Sequence, residues 1–372
     1  MIMKFLRILS RYIVGIVFVF SGFVKGVDPL GTAYRIEDYF VAYGTEWAMP
    51  LALFLSVGLS TLEFVLGVAL LFNARLKSLS WVLFILMIFF TGMTFYDALY
   101  NPVPDCGCFG DAIKLTNWET FYKNVVLIIF VAVIFFSRKK ARSAWSPGSQ
   151  NLILILATAG FAWFSYYNYA HLPMIDFREW KVGTDMAEGK EEQPDIYVTY
   201  RNKETGETKE YLSPNYPWND STWMANWEFV SQRVANAGAL DEAELQIVNA
   251  EGEDYTLDFI ENPEYQFLVV AYDLEKTDKA SFKKINELYK AADRHGYSLI
   301  VLTSSIPENV VKFKEKVDAA GYEFYYADDI ILKTMIRSNP GLILMKDGVV
   351  LDKWHYNDLP DYGDIFSEHI EQ

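Results

Sequence analysis

Cys106 and Cys108 are the only cysteines in 372 residues, and they stand one residue apart in Cys106-Gly107-Cys108-Phe109-Gly110. Two thiols kept together and nowhere else point to shared chemistry. In an oxidising compartment such a pair tends toward disulfide. Gly107, which has no Cβ, supplies the freedom that so tight a turn requires. A ring this small is expected to be strained, and a strained disulfide is easier to reduce. Two readings stand side by side: an exchange-prone redox pair, and a structural staple of the loop. A metal site fits poorly, because a lone C-x-C supplies two ligands and His171, His295, His355 and His369 lie far off in sequence. The C-x-x-C-H run of haem attachment is missing.

The thiol loop lies between long apolar runs. Five of these are candidate membrane spans, since about 20 apolar residues cross about 30 Å of hydrocarbon. They cover about Ile8 to Val24, Met49 to Phe72, Leu79 to Leu99, Phe121 to Phe136 and Leu152 to Tyr167. Two acids fall inside them. Glu63, mid-span, is costly there unless protonated or paired; it reads either as functional or as a neutral acid hydrogen-bonded between helices. Asp97, near the outer end of the third span, is either a proton acceptor close to the thiols or a water-contacting helix end. Lys25 and Asp28, just past the first span, read as a surface pair.

Basic residues set the direction of the spans. Lys4, Arg7 and Arg11, then Arg75 and Lys77, then Arg138, Lys139, Lys140 and Arg142 occupy alternate joints. The opposite joints hold Asp28, Glu37, Asp38 and Glu46, and then Asp105 and Asp111. The N-terminus is therefore expected in the cytoplasm. The cysteine loop, and with five spans everything after Ala170, is expected outside, in the periplasm of a bacterial inner membrane protein. The first span has a basic start like a secretory signal, but no clean small-x-small site follows it, so it reads as an uncleaved helix.

The net charge is −15, and hydrophobic and aromatic residues make up 52% and 16% of the chain. No basic stripe exists to neutralise phosphates, which excludes nucleic acid as a partner. The acidity sits mostly in the C-terminal half, which anionic lipid would repel, so that half is expected to stand off the bilayer.

Ser21-Gly22-Phe23-Val24-Lys25-Gly26-Val27-Asp28-Pro29 and Glu63-Phe64-Val65-Leu66-Gly67 resemble the first two helices of DoxX-like membrane proteins. The Cys106-Gly107-Cys108-Phe109-Gly110 loop, followed by Trp118 and a further span, is similar to MauE, the methylamine-utilisation membrane protein. The resemblance covers roughly residues 1–140. It implies a four-helix membrane bundle and a role in disulfide formation or maturation of periplasmic proteins, with a periplasmic protein as partner and the bilayer as medium. It leaves the cofactor unknown. A quinone is conceivable only by distant analogy with four-helix proteins of the vitamin K epoxide reductase type, which rely on a C-x-x-C pair that this chain lacks.

Residues 141–170 then form a basic loop and a fifth helix, and 171–262 a mixed region. Asp195 to Leu212 reads as a hairpin. Trp218, Trp223 and Trp227 follow, with Trp223 and Trp227 on one helical face, as a small core or a contact patch. Leu245 to Val248 and Tyr255 to Phe259 read as short strands. From Pro263 the order is regular: a strand at Phe267 to Tyr272, a helix over Lys279 to Arg294, and a strand at Ser298 to Thr303. A helix over Pro307 to Ala320 follows, then a strand at Tyr322 to Tyr326 and a short helix at Ile330 to Ile336. A hairpin around Lys346-Asp347-Gly348 closes the domain. This order, with Ser338-Asn339-Pro340 before the penultimate strand, resembles thioredoxin-like domains, in which a cis proline stands at the place of Pro340. The expected C-x-x-C after the first strand is replaced by Asp273-Leu274-Glu275-Lys276-Thr277-Asp278-Lys279. A degenerate α/β thioredoxin-like domain over 263–372 that positions a partner is the resulting expectation. The alternatives are a non-catalytic membrane scaffold with a structural disulfide and, weakest, a transporter suggested by Glu63.

Overall fold

A computed structural model describes residues 2–103, 106–140, 143–187, 196–203, 205–212, 217, 223, 226–234, 245–319 and 321–371. Asp105, Arg142, Asp195, Trp218 and Ala320, used in the reading above, lie outside the described residues.

Among the described residues, four helices are long and apolar enough to cross a membrane. Three come before the thiol loop: α1 (Ile2–Val27) and, after an intervening helix α2 (Pro29–Ala42), α3 (Ala52–Phe72) and α4 (Leu76–Tyr100). The fourth, α5 (Asn117–Ser137), follows that loop. This is a multi-pass membrane protein. The end of α1 is set by Asp28-Pro29: the Asp28 side chain accepts from the Gly31 N–H at 2.8 Å, and proline takes the first position of α2, where it gives up no intrahelical bond. α5 begins with a reciprocal capping box between Thr116 and Glu119.

Helices α1 and α3 pack backbone to backbone. A Cβ on Gly22 would lie 2.7 Å from the Phe64 nitrogen, and one on Gly67 would lie 2.6 Å from the Val19 nitrogen. In lipid, where the hydrophobic effect gives no drive between helices, close approach of this kind supplies the contact. The interior below is apolar: Val14, Leu66, Leu83, Met87, Val131 and Ile134 are all buried.

The expected fifth span is a helix, α6 (Pro147–Ala170), with Ser146 as its cap. It packs on the bundle through Phe161, whose ring stacks on Phe64 at 4.4 Å, and through Phe164 against Phe23. It is not among the four helices apolar enough to cross. Its second half, with Trp163, Tyr166, Tyr167, Asn168 and Tyr169, dilutes the aliphatic run of its first half.

Beyond α6 the chain forms mixed sheets and helices. One sheet has the order β2-β1-β3, with β1 (Ile196–Asn202), β2 (Thr208–Leu212) and β3 (Trp227–Val234). Trp223 and Trp227 do stack, at 5.6 Å, but Trp227 lies on a strand and not on the helix expected of a four-residue spacing. The segment expected as a strand at Tyr255 to Phe259 is instead a helical turn, α7 (Thr256–Ile260). Asp254 accepts hydrogen bonds from the Thr256 N–H and hydroxyl, which fixes a helix start that the alternation of apolar residues conceals.

The second sheet has the order β6-β5-β4-β7-β8. It is built from β4 (Gln266–Val270), α8 (Phe282–Arg294), β5 (Ser298–Thr303), α9 (Pro307–Val317), β6 (Phe324–Tyr326), α10 (Asp329–Met335), β7 (Gly341–Lys346) and β8 (Val349–His355). β4, β5 and β6 run parallel, while β7 pairs antiparallel with β4 and with β8. β4 is buried on both faces, as its unbroken apolar run requires. Phe267 and Val269 face α8 and α9, and Leu268 and Val270 face Trp180 and α10. The peptide bond Asn339–Pro340, entering β7, is cis.

Candidate functional site

Cys106 and Cys108 lie half-buried at one end of the bundle as free thiols with their sulfur atoms 2.9 Å apart. A covalent S–S bond is about 2.05 Å long, so the pair can close with little movement. Gly107 makes the turn at φ +64°, and a Cβ there would sit 2.9 Å from Arg35 Cγ. Left-handed backbone costs an L-residue about 1–2 kcal/mol. Gly107→Ala is therefore expected to lower the melting temperature and to shift the fraction of protein that oxidises in a glutathione buffer. An unchanged melt and an unchanged oxidised fraction would show that the turn tolerates a side chain.

The two sulfurs are not equivalent. Cys108 is held below the ordinary thiol range, first by the hydrogen bond from Cys106 and then by the Lys123 and Lys25 ammonium groups, against the opposing effect of burial. The same hydrogen bond, with burial, pushes the Cys106 thiol up. The two sulfurs share one hydrogen bond and lose their first proton as a pair, and the flanking Lys123 and Lys25 ammonium groups favour that loss.

Beneath the loop stands a buried ion pair that connects the expected site residues. Lys25 Nζ lies 2.8 Å from both Glu63 carboxylate oxygens, with the two residues 5% and 3% exposed. Glu63 is thus paired, and Lys25 turns inward as part of α1 and does not reach Asp28 at a surface. Ser21 Oγ lies 2.8 Å from Glu63 Oε2 and 2.9 Å from the Cys108 carbonyl oxygen, with one proton to donate between them. Side chains from α1 and α3 so hold the loop that carries Cys108.

Asp97 is not a water-contacting helix end. It is fully buried and accepts a hydrogen bond of 2.8 Å from the Tyr39 hydroxyl. Tyr39 stands beside Cys106, and burial raises its phenol above the ordinary range, so it remains a donor. Asp97 is thereby linked to the sulfurs through one side chain. Lys123 completes the ring of charge, with Nζ 4.4 Å from the Phe109 ring centre.

The other unforeseen contributor is the C-terminal domain. Arg337, just before the cis proline and 5% exposed, donates from Nε to Asp28 Oδ2 at 2.8 Å and from Nη2 to Asp111 Oδ2 at 3.2 Å. It also bonds the Lys333 carbonyl. Tyr34 and Tyr272 share a hydrogen bond of 2.8 Å, and Lys333 sits 4.6 Å above the Tyr34 ring. The far end of α6 is tied to the same domain, by Asn357 to the Ala170 carbonyl and by His171 to Asp358. The cysteine loop and the C-terminal domain therefore share one end of the bundle. The segment at the place of the expected C-x-x-C is closed on itself: Thr277 Oγ1 and Asn339 Nδ2 both donate to the Asp273 carbonyl.

No curated protein matches the chain. Residues 3–137, which hold the four spans and the thiol loop, match the family described as Methylamine utilisation protein MauE, and over that stretch the chain carries a MauE-family membrane domain.

Proposed function

We propose that this protein is a membrane component of a thiol–disulfide or protein-maturation system in the bacterial inner membrane, with Cys106 and Cys108 as its working pair. The division is a bundle at 1–140, a loop and fifth crossing at 141–170, a mixed region at 171–262 and a thioredoxin-like domain at 263–372. The strand order of the second sheet supports that last assignment. The basic joints put the N-terminus in the cytoplasm and the thiol loop in the periplasm. α6, as a fifth crossing, carries the C-terminal domain to that same side, in keeping with the contacts of Arg337.

The observation that carries the reading is the approach of the two sulfurs to 2.9 Å, in a wall they share with Lys25 and Lys123. In the oxidised pair, Cys108 is the better leaving group, because its thiolate is the stabilised one. A thiolate of the periplasmic partner attacks Cys106 Sγ, the Cys106–Cys108 bond breaks and its electron pair leaves on Cys108. The partner's second thiol then attacks its own sulfur in the mixed disulfide and releases Cys106. The partner gains a disulfide, and two electrons and two protons remain on the Cys pair.

Cys108→Ala is expected to trap a partner or a small thiol as a mixed disulfide through Cys106, and to do so more than Cys106→Ala does through Cys108. If neither single variant ever captures a thiol compound, the pair is a staple. The self-bonded Asp273–Lys279 segment favours that second reading, a scaffold whose outer domain has no thiol of its own. Under it, replacing both cysteines by Ser lowers stability and leaves function intact.

A further inference from the structure

A cavity of about 1040 Å³ lies inside the membrane bundle and ends at the thiol loop. Cys106, Gly107 and Cys108 form part of its wall at one end, and the wall runs on through Phe18, Met87 and Leu127 in the apolar interior. A volume of this size suits a substituted ring with a hydrocarbon tail. Its polar groups gather near the sulfurs: Lys25, Glu63, Tyr39 and Lys123 all line it.

The cavity opens sideways, between α3 and α4. Phe54, Leu55, Ile88 and Phe89 line it and are at the same time exposed. Gly58 and Gly92, also in its lining, have no atom within 4 Å of where a Cβ would stand. Both helices are among the four apolar enough to span a membrane, so this slot faces hydrocarbon and not water. An occupant must therefore arrive dissolved in lipid, and it must meet two thiols and an ammonium group at the far end.

We infer that this cavity binds a lipid-soluble quinone, entering between α3 and α4, with its ring against Cys106 and Cys108. The inference rests on the thiol-exchange reading above and names the acceptor for the same site. The reduced pair gives up two S–H bonds and forms one S–S bond. Two electrons and two protons pass to the ring, its two carbonyl oxygens become hydroxyls, and the quinol leaves by the slot. Lys123 and Lys25 supply positive charge where the ring oxygens become negative before they take up protons. A phospholipid acyl chain would fill the apolar part equally well, but it makes no use of the charged end.

The test uses the reduced full-length protein in lipid nanodiscs without oxygen. The probe is a short-chain benzoquinone with a fully substituted ring, so that thiols cannot add to it. The expected result is loss of quinone absorbance in step with loss of both thiols, none with the double Cys→Ser variant, and slower reduction in Gly58→Trp and Gly92→Trp. Each tryptophan enters open space, and each variant is accepted only if its melt matches the parent. Quinone extracted from protein purified out of native membrane is the second, variant-free readout. Thiols that oxidise with oxidised glutathione but never with the quinone would overturn the quinone site and leave the exchange reading standing. So would extracts that contain phospholipid alone, or quinone reduction equally fast in both folded tryptophan variants. Thiols that react with neither oxidant would bring down the exchange reading first and this inference with it.

Discussion

Glu63→Ala is expected to destabilise the membrane domain by about 3–5 kcal/mol, the cost of leaving one buried charge without its partner. Lys25 and Glu63 are each nearly inaccessible, and the ammonium donates to both carboxylate oxygens. With the carboxylate gone, Lys25 keeps one hydrogen bond among the described residues, to Ser21 Oγ at 3.3 Å, and otherwise only its charge interaction with the cysteine pair. Lys25→Met combined with Glu63→Leu should be milder than Glu63→Ala alone, because both charges leave the interior together. The check is a double-mutant cycle on the melting of the detergent-solubilised protein. A Glu63→Ala protein that melts with the parent would mean that the pair contributes nothing to the fold. The same substitution carries a chemical signature. The Glu63 charge opposes the pull of Lys25 and Lys123 on Cys108, so its removal drops the Cys108 thiol further. In Glu63→Gln, alkylation of the reduced pair at a fixed pH below the ordinary thiol range should run faster than in the parent.

These pairings explain what sequence could and could not reveal. The four spans were legible, because a run of apolar residues of membrane length has few other uses. The thiol loop was legible as a joint between two of them, and β4 to β8 followed from the alternation of strand and helix patterns. The partner of Glu63 was not, although the cost of a lone carboxylate announced that one existed. Lys25 is 38 residues away, and its identity depends on how α1 lies against α3. Asp97 is joined to the thiols through Tyr39, which sits on α2, a helix whose mixed composition hid it behind the stronger apolar signals on each side. Arg337 pairs with Asp28 across 309 residues, a distance over which no local pattern carries information. At Thr256–Ile260 the alternation misled because one side chain, Asp254, fixes a helical turn, and at Trp227 the four-residue spacing misled because the residue pairs into a strand with β1.

Arg337→Ala is expected to release the C-terminal domain from the thiol loop, again at a cost of about 3–5 kcal/mol for the contact, because two partly buried carboxylates lose their shared cation. The guanidinium suits this position: its planar fork serves Asp28 with one edge and Asp111 with another, while the Tyr34 ring lies 5.3 Å from its centre. Arg337→Lys should restore charge without the fork and recover only part of the effect. Release is read as faster labelling of the reduced Cys pair by a bulky maleimide in Arg337→Ala, since Asp111 lies three residues beyond Cys108. The pH dependence has a definite sign. Burial acts to raise the Asp28 carboxyl, but the Arg337 and Arg178 charges and the Gly31 N–H outweigh it and hold the group below the usual carboxylate range. A carboxyl depressed in the folded state contributes stability above its unfolded value and loses it as pH falls through the lower, folded value. Docking should therefore hold from neutral pH into mild acid and fail only in strong acid; compared with the parent at the same pH, Arg337→Ala should label faster from neutral pH into mild acid, and the difference should vanish in strong acid. If the variant labels and melts as the parent does, the domain does not cover the thiols, and access of a protein partner to Cys106 is set by the loop alone.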